Sequence, residues 1–480
     1  MSPAVEAELA FASIAEVGRQ LRDRRLTILD LTAMILARID RLNPALNCYI
    51  TVLREQALEQ AEALQRLFDR GIDLGPLHGI PVGIKDNIAT AGTRTTIGSR
   101  LYADWVPEKD ATVVARLKAA GAVILGKLNL YEFAFGGVHE DYGDVRNPWD
   151  SERACGASSS GSGAAVAAGL AYATLGTDTG GSIRLPAAAC GVVGLKATYG
   201  LISRSGVAPA GYSLDHVGPL TRTVADAAIL LAALAGPDEA DPAGTRRPTP
   251  DLDALPNDVA GLRLGVPHRQ ESELLDPEMA RAMERSVEAL EQAGAVPVPV
   301  SLPDHLLSRT VMWAIAAAEL AEQHRETMRA RPQDYSPVVR GLIRQGAFMP
   351  ATDYVHAHRL RSKLIDQYRQ VMQQVDALVT PVVPFPAWKI GAEEVEIEGR
   401  TEALMPALTR YCPPANITGQ PAIAVPNGST ASGLPLSVQF VGLWHDEARL
   451  LGLAQVHEAL VMPPGAASHP DLAWAAPVTV

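Results

Sequence analysis

Lysine is scarce in this chain of 480 residues. Seven are present (Lys85, Lys109, Lys118, Lys127, Lys196, Lys363 and Lys389), and every other basic residue is an arginine. Any chemistry that needs an amine base therefore has few candidates. The formal net charge is -12, which excludes the basic surface that sequence-independent nucleic-acid binding requires. Four cysteines (Cys48, Cys155, Cys190 and Cys412) show no CxxC spacing, so neither a zinc knuckle nor a disulfide framework is indicated. No window approaches about 18 uninterrupted apolar residues, and no membrane span is expected. The start, Met1 to Glu6, lacks the basic and apolar regions of a signal peptide, so the expected location is the cytoplasm. Aromatic residues make up only 5%, which leaves little material for a large aryl pocket. Several motifs are missing as well. There is no Walker A loop, no G-x-G-x-x-G fingerprint, no G-x-S-x-G nucleophile elbow, and no H-E-x-x-H or other acid–histidine cluster at ligand spacing. No cofactor and no metal is therefore expected.

What the chain does contain is two glycine-rich loops that carry serines. One runs Gly156-Ala157-Ser158-Ser159-Ser160-Gly161-Ser162-Gly163, the other Gly176-Thr177-Asp178-Thr179-Gly180-Gly181-Ser182-Ile183-Arg184. An apolar Ala/Val stretch separates them. Both are embedded in apolar sequence, unlike flexible linkers, which join separate domains. Upstream, Lys85 ends the short apolar run Gly79 to Ile84, a buried-strand signature. A nucleophile needs a base and donors for a developing oxyanion, and these segments hold serines, a lysine and glycine backbone. Lys127 and Lys196 also end apolar stretches, so spacing alone ranks the three lysines equally. With 11 histidines, a Ser-His-Asp triad also stays open at this level.

Elsewhere, residues 12–43 read as helical, with Thr27 and Asp30 fitting a capping box, and Glu55 to Arg70 as a second helix. Residues 111–120 read as helix and 123–125 as strand. Residues 164–170 read as helix, 171–176 as strand, and 189–195 as another strand. Pro237 to Pro256 is a proline-rich loop. Gly261 to Pro267 reads as strand, Pro277 to Gly294 as helix, 305–375 as mostly helical, and 377–386 as extended. Residues 416–442 read as two strands around a turn, followed by a helix from Asp446. Helices alternating with short buried strands predict the α/β class with a mostly parallel, helix-covered sheet.

At the level of whole segments the chain resembles the amidase signature family of serine hydrolases, from about residue 20 to about 460. The resemblance rests on Gly79 to Asp86, Gly121 to Asn129, the two serine loops, Gly191 to Lys196, Ser213 to Leu220, and Asn416 to Ile423, in that order. It implies one amidase signature domain over 1–480, with a twisted mixed sheet covered by helices on both faces. Its parts would be a helical N-terminal region (about 12–70), a catalytic core (about 71–235), the proline-rich loop (237–256), a helical substrate-side region (about 275–375), a return to sheet (about 376–462) and a tail (463–480). It also implies a Ser–cis-Ser–Lys triad. Ser182 would be the nucleophile, Ser158 the bridging serine after a cis bond from Ala157, and Lys85 the base. The amides of Thr179, Gly180, Gly181 and Ser182 would form the oxyanion hole. Asp178 and Arg184 would pair to shape the loop. Ser159, Ser160 and Ser162 are expected to cap the following helix, and His216 to be a structural hydrogen-bonder. Ala157 and Ser160 stand where the family pattern has glycine, and Ala197 where it often has proline.

The implied activity is hydrolysis of the C–N bond of a linear amide, carbamate or ureido compound through an acyl-enzyme. Leu185 stands where the glutaminase subunit of the tRNA-dependent amidotransferase commonly carries glutamine, and Asp215-His216 where it carries Asp-Gln. They lean the reading toward a free-standing enzyme, and the glutaminase of that amidotransferase is the alternative. Intact triad positions argue against a third reading, a non-catalytic binding protein on the same scaffold. Tyr131, Phe133, Phe135, Trp313 and Tyr411 are candidate pocket walls from their closeness to the motifs. The expected partner is a small-molecule amide, with neither nucleic acid nor membrane, and the resemblance is compatible with a homodimer.

Overall fold

The computed structural model describes residues 3–252, 254–268, 274–462 and 469–475. Eleven strands form the main sheet: β1 (Tyr49–Val52), β2 (Pro81–Lys85), β3 (Val123–Leu128), β4 (Ala173–Asp178), β5 (Val193–Lys196), β6 (His216–Thr221), β7 (Arg263–Pro267), β8 (Val296–Val300), β9 (Ala377–Pro381), β10 (Ala422–Ser429) and β11 (Pro435–Gly442). Their spatial order is β1-β3-β2-β4-β6-β5-β10-β11-β9-β7-β8. The sheet is mixed, and its parallel pairing lies in two blocks, β3-β2-β4 and β9-β7-β8. The middle of the sheet, from β4 to β9, is antiparallel, as is edge strand β1. A short hairpin imposes this between β10 and β11, because a tight turn can join only antiparallel neighbours. Every residue of β2, β3 and β4 is buried, which explains why these strands read as unbroken apolar runs rather than alternating ones.

Three sequence-based elements need correction. The helix expected over 12–43 is two helices, Ile14–Arg22 and Ile28–Leu46. Ser13 and Thr27 each cap one, and Arg24 between them takes a φ of 55° that no helix continues through. The strand expected over 189–195 begins only at Val193. Arg184–Cys190 is instead a short helix, closed by Gly191 in the left-handed region. Strand β6 goes unread in the sequence, because Gly218 and Pro219 interrupt its apolar pattern. The proline-rich stretch contains neither helix nor strand among its described residues.

One apolar core runs from Leu9 to Ala475 around the sheet. A second gathers helices His305–Gln323, Pro337–Ala347 and Ala351–Met372 over Phe133, Phe135 and Leu214. The serine loops lie where these two bodies meet. Of the tail from 463, only 469–475 is described, and there His469 stacks on Phe11 with ring centroids 3.9 Å apart; the rest of that expectation lies outside the described residues. Among the described residues no helix is long and apolar enough to cross a membrane.

Candidate active site

Lys85 ends β2 and Asp178 ends β4, and the two strands run parallel with Ile84 opposite Leu175. That register delivers both strand ends to one edge of the sheet, the edge where parallel sheets present functional groups. Lys85 Nζ is fully buried and donates to three hydroxyls: Ser158 Oγ at 2.8 Å, Ser159 Oγ at 2.9 Å and Thr177 Oγ1 at 2.7 Å. Burial pushes its ammonium down to about 7, opposed by the nearby charges of Asp215 and Asp178. The amine is thus poised to lose and regain a proton near neutrality.

The other two lysines are engaged elsewhere. Lys127 Nζ donates to Ile88 O at 2.6 Å and Thr95 Oγ1 at 2.7 Å and faces Asp86 at 3.5 Å. Lys196 Nζ donates to Gln420 O at 2.5 Å and Ala197 O at 3.2 Å. Lys85 alone among the three touches a serine of the loops.

Ser182 Oγ accepts from the Ser158 amide at 3.4 Å. The two hydroxyls make no direct hydrogen bond, so the connection from Ser182 to Lys85 runs through residue 158, whose amide faces one and whose hydroxyl faces the other. No peptide bond among the described residues is cis. The Ala157–Ser158 bond is therefore trans, contrary to expectation. Trans is the lower-energy state of a non-proline bond, and it already lets Ser158 Oγ reach Lys85.

The nucleophile loop is held by Asp178. Its carboxylate accepts from the amides of Gly181 at 2.7 Å and Ile183 at 3.2 Å, and from Arg184 through Nε and Nη2, each at 3.0 Å. Asn416 Nδ2 adds a bond at 2.8 Å, and Arg184 reaches on to Cys412 O, Gln439 Oε1 and Asn416 Oδ1. Both partners are fully buried. Burial alone would raise the Asp178 carboxyl; Arg184 and Asn416 more than offset it and hold the group well below the usual carboxylate range. Gly181 takes a φ of 124°, and a Cβ there would lie 2.7 Å from Cys412 Cβ; only glycine suits the position. Because its amide is given to Asp178, Gly181 is not an oxyanion donor here, which corrects the expected set. The amides of Thr179, Gly180 and Ser182 donate no hydrogen bond among the described residues, and Gly180 and Ser182 are half-buried rather than closed off.

A cavity of about 50 Å³ opens on Ser182 between Tyr131, Phe135, Met312, Trp313, Met405 and Leu408. Phe135 meets Trp313 edge-to-face at 4.8 Å, and Tyr131 Oη donates to Gly156 O at 2.9 Å. No charged side chain is among the described residues that line it. Two candidate walls lie elsewhere. Phe133 turns into the second core against His324, at 4.2 Å, and Tyr335, at 5.5 Å. Tyr411 lines a separate cavity of about 240 Å³ with Leu302, His305 and Tyr368, which shares no residue with the one at Ser182. Size does not make that larger cavity the reaction site, since neither Lys85 nor a serine of the two loops lines it.

Met312 closes the Ser182 cavity from above: a Cβ on Gly180 would come within 2.9 Å of its Cε. Met312→Ala should open this wall and, measured as kcat/KM across acyl chains of rising length, favour the longer members by about tenfold per accommodated methylene or two.

Two serines of the first loop differ from their expected roles, while His216 is the structural hydrogen-bonder expected. Ser159 does not cap helix Ser160–Ala167; its hydroxyl binds Lys85 and Thr177 O instead. Ser162 Oγ donates to Leu175 O. His216 Nδ1 sits 2.7 Å from Leu214 O, and burial pushes its ring well below the usual imidazole range. It stays neutral and touches neither loop serine. Sequence reasoning does not single out Thr177, Asn416 or Gln439, and it gives Asp215 no place in the site. Thr177 and Asn416 lie inside segments that carry the resemblance, but nothing local marks Gln439, which arrives from β11.

The family model described as Amidase matches residues 30–451. The chain is 40% identical to the A-subunit of the glutamyl-tRNA(Gln) amidotransferase of Geobacter metallireducens, covering 94% of this chain and 97% of that protein. Among solved structures, it resembles a chain from a vestigial protein complex bearing on the evolutionary origins of an s-triazine catabolic enzyme (TM-score 0.88, 34% identity, 93% and 98% of the two chains). It also resembles the peptide amidase of Stenotrophomonas maltophilia (TM-score 0.84, 32% identity, 96% and 99%).

Proposed function

Because the chain belongs to the amidase signature family, we propose that it cleaves the C–N bond of a small neutral amide through a serine acyl-enzyme. The observation that carries the reading is the buried, near-neutral Lys85 bonded to Ser158, whose amide in turn contacts Ser182. In this reading Ser182 Oγ attacks the carbonyl carbon. As substrate binding brings the two hydroxyls to hydrogen-bond distance, the Ser182 proton passes to Ser158 Oγ while the Ser158 proton passes to neutral Lys85, and the resulting ammonium returns a proton by the same path to the departing amine. The free amides of Thr179, Gly180 and Ser182 stabilise the tetrahedral oxyanion. Water then attacks the acyl-enzyme with the roles reversed. The same steps apply to carbamates and ureido compounds.

The uncharged, apolar cavity favours a short neutral acyl group. A zwitterionic acyl group such as that of glutamine would have to leave its charges unpaired there, which is costly in a buried site. A second reading is the glutaminase of a tRNA-dependent amidotransferase. It is favoured by the 40% identity to a component of such an enzyme along nearly its whole length. Under it the chain would act within a larger assembly.

A product-detected panel on the purified chain separates them. Ammonia or amine release would be followed from glutamine, short aliphatic amides, benzamide, anilides, carbamates and ureido acids. Turnover of short neutral amides above glutamine is expected. Turnover of glutamine alone, or of nothing until other proteins are added, would replace the first reading with the second.

A further inference from the structure

Asp215, in the loop before β6, is a buried carboxylate with no part in the proton path above. Its Oδ1 accepts from Thr179 Oγ1 at 2.5 Å and from the Gly211 amide at 3.1 Å, and its Oδ2 from the amides of Ala210 at 2.9 Å and Gly211 at 3.2 Å. Thr179 is the first residue after β4 and offers one of the three free amides beside Ser182. The carboxylate thus pins that residue to the 210–211 turn.

It does so without a cation of its own. Asp178 is neutralised at contact by Arg184, whereas among the described residues no ion pair reaches Asp215. Arg204, a guanidinium beside the loop, is held by Asp241 at 2.9 and 3.2 Å. The tether is thus built from one hydroxyl and two backbone amides rather than from an ion pair.

We propose that Asp215 is a positioning residue, which holds the Thr179 amide in the oxyanion cradle by fixing the Thr179 hydroxyl to the 210–211 turn. This rests on Thr179 being an oxyanion donor in the reading above. The other polar groups facing this region are Tyr199 and Arg204 beside the loop, Asp178, Arg184 and Lys196 at the strand ends, and His216 next in the chain. From the helical layer come Glu319, accepting the Ser213 amide, and Arg361, donating to Ser213 O.

The test is kcat and KM, measured separately with the best substrate of the panel, for wild type, Thr179→Val, Thr179→Ser and Asp215→Asn. Thr179→Val loses the tether, so its kcat should fall about ten- to a hundredfold with KM changed less than about threefold. Thr179→Ser keeps the hydroxyl that Asp215 accepts from and should restore most of that loss. Asp215→Asn should lower kcat in the same direction, and Asp215→Ser serves in its place should Asn fail to fold. An undiminished kcat in Thr179→Val, or a loss that Thr179→Ser does not rescue, overturns the tether. Activity that survives Ser182→Ala would count instead against the reading on which this rests.

Discussion

Ser182→Ala should abolish turnover, by about 10⁴-fold or more in kcat, while the protein stays folded. The size follows from the geometry. Ser182 Oγ shares the small cavity with Thr179, Gly180 and Ser158, and Ser158 Oγ is engaged by Lys85, so alanine at 182 removes the hydroxyl placed to form the acyl-enzyme. The stability cost should be slight. The hydroxyl accepts one hydrogen bond, at 3.4 Å from Ser158, and its residue is only half-buried, so about 1 kcal/mol or less is at stake. The loop itself is held by Asp178 and Arg184, which the substitution does not touch. Single-turnover kinetics with mass detection of the acyl-enzyme provide the check. A variant that kept more than about a hundredth of wild-type kcat would place the nucleophile elsewhere.

Lys85→Met should come next in effect, with a loss of about 10²–10⁴-fold. Three hydroxyls that now receive protons from Nζ would lose that partner, so some stability should be lost at any pH. The more telling readout is how the stability difference between wild type and variant changes with pH. In the folded protein Lys85 releases its proton at about 7, whereas in an unfolded chain a lysine does so at about 10.4. Between these values the unfolded state binds the extra proton, so wild-type stability rises with pH relative to the variant by up to about 1.4 kcal/mol per unit. Below 7 both states are protonated and the difference flattens. Denaturant titrations of both proteins at pH 6, 7, 8 and 9 would show this slope. A difference constant across the series would mean that Lys85 is not held near neutrality by burial.

The fold is largely readable where strands are buried on both faces. The runs ending at Lys85, Lys127 and Lys196 are short, apolar and punctuated by glycine or proline, and all three are strands. Reading fails where a local pattern is overruled. Gly191 divides what looks like one apolar strand, and a proline within β6 masks a buried partner of β4. At the site, spacing leaves three lysines equal, and only contact separates them: Lys85 meets three hydroxyls, Lys127 a carbonyl, a threonine hydroxyl and Asp86, Lys196 two carbonyls. The glycine run suggests four oxyanion donors. One is withdrawn because Asp178, three residues upstream, turns back onto Gly181. The placing of Phe133 and Tyr411 depends on how helices over a hundred residues away pack against them, which no window of sequence contains.

The Asp178–Arg184 pair has a consequence for the chain as it is made. Its outer contacts come from Cys412, Asn416 and Gln439, which lie 228, 232 and 255 positions beyond Arg184. At about 5–20 residues per second, the ribosome needs roughly 10 to 50 s to supply the last of them after Arg184 emerges. Until then the buried ion pair lacks the carbonyls and amides that surround it, and the loop bearing Ser182 lacks its final clamp. Assembly of the reactive centre is thereby deferred until those distant positions have been made, so the nascent polypeptide carries its serine without yet owning the cradle that would arm it.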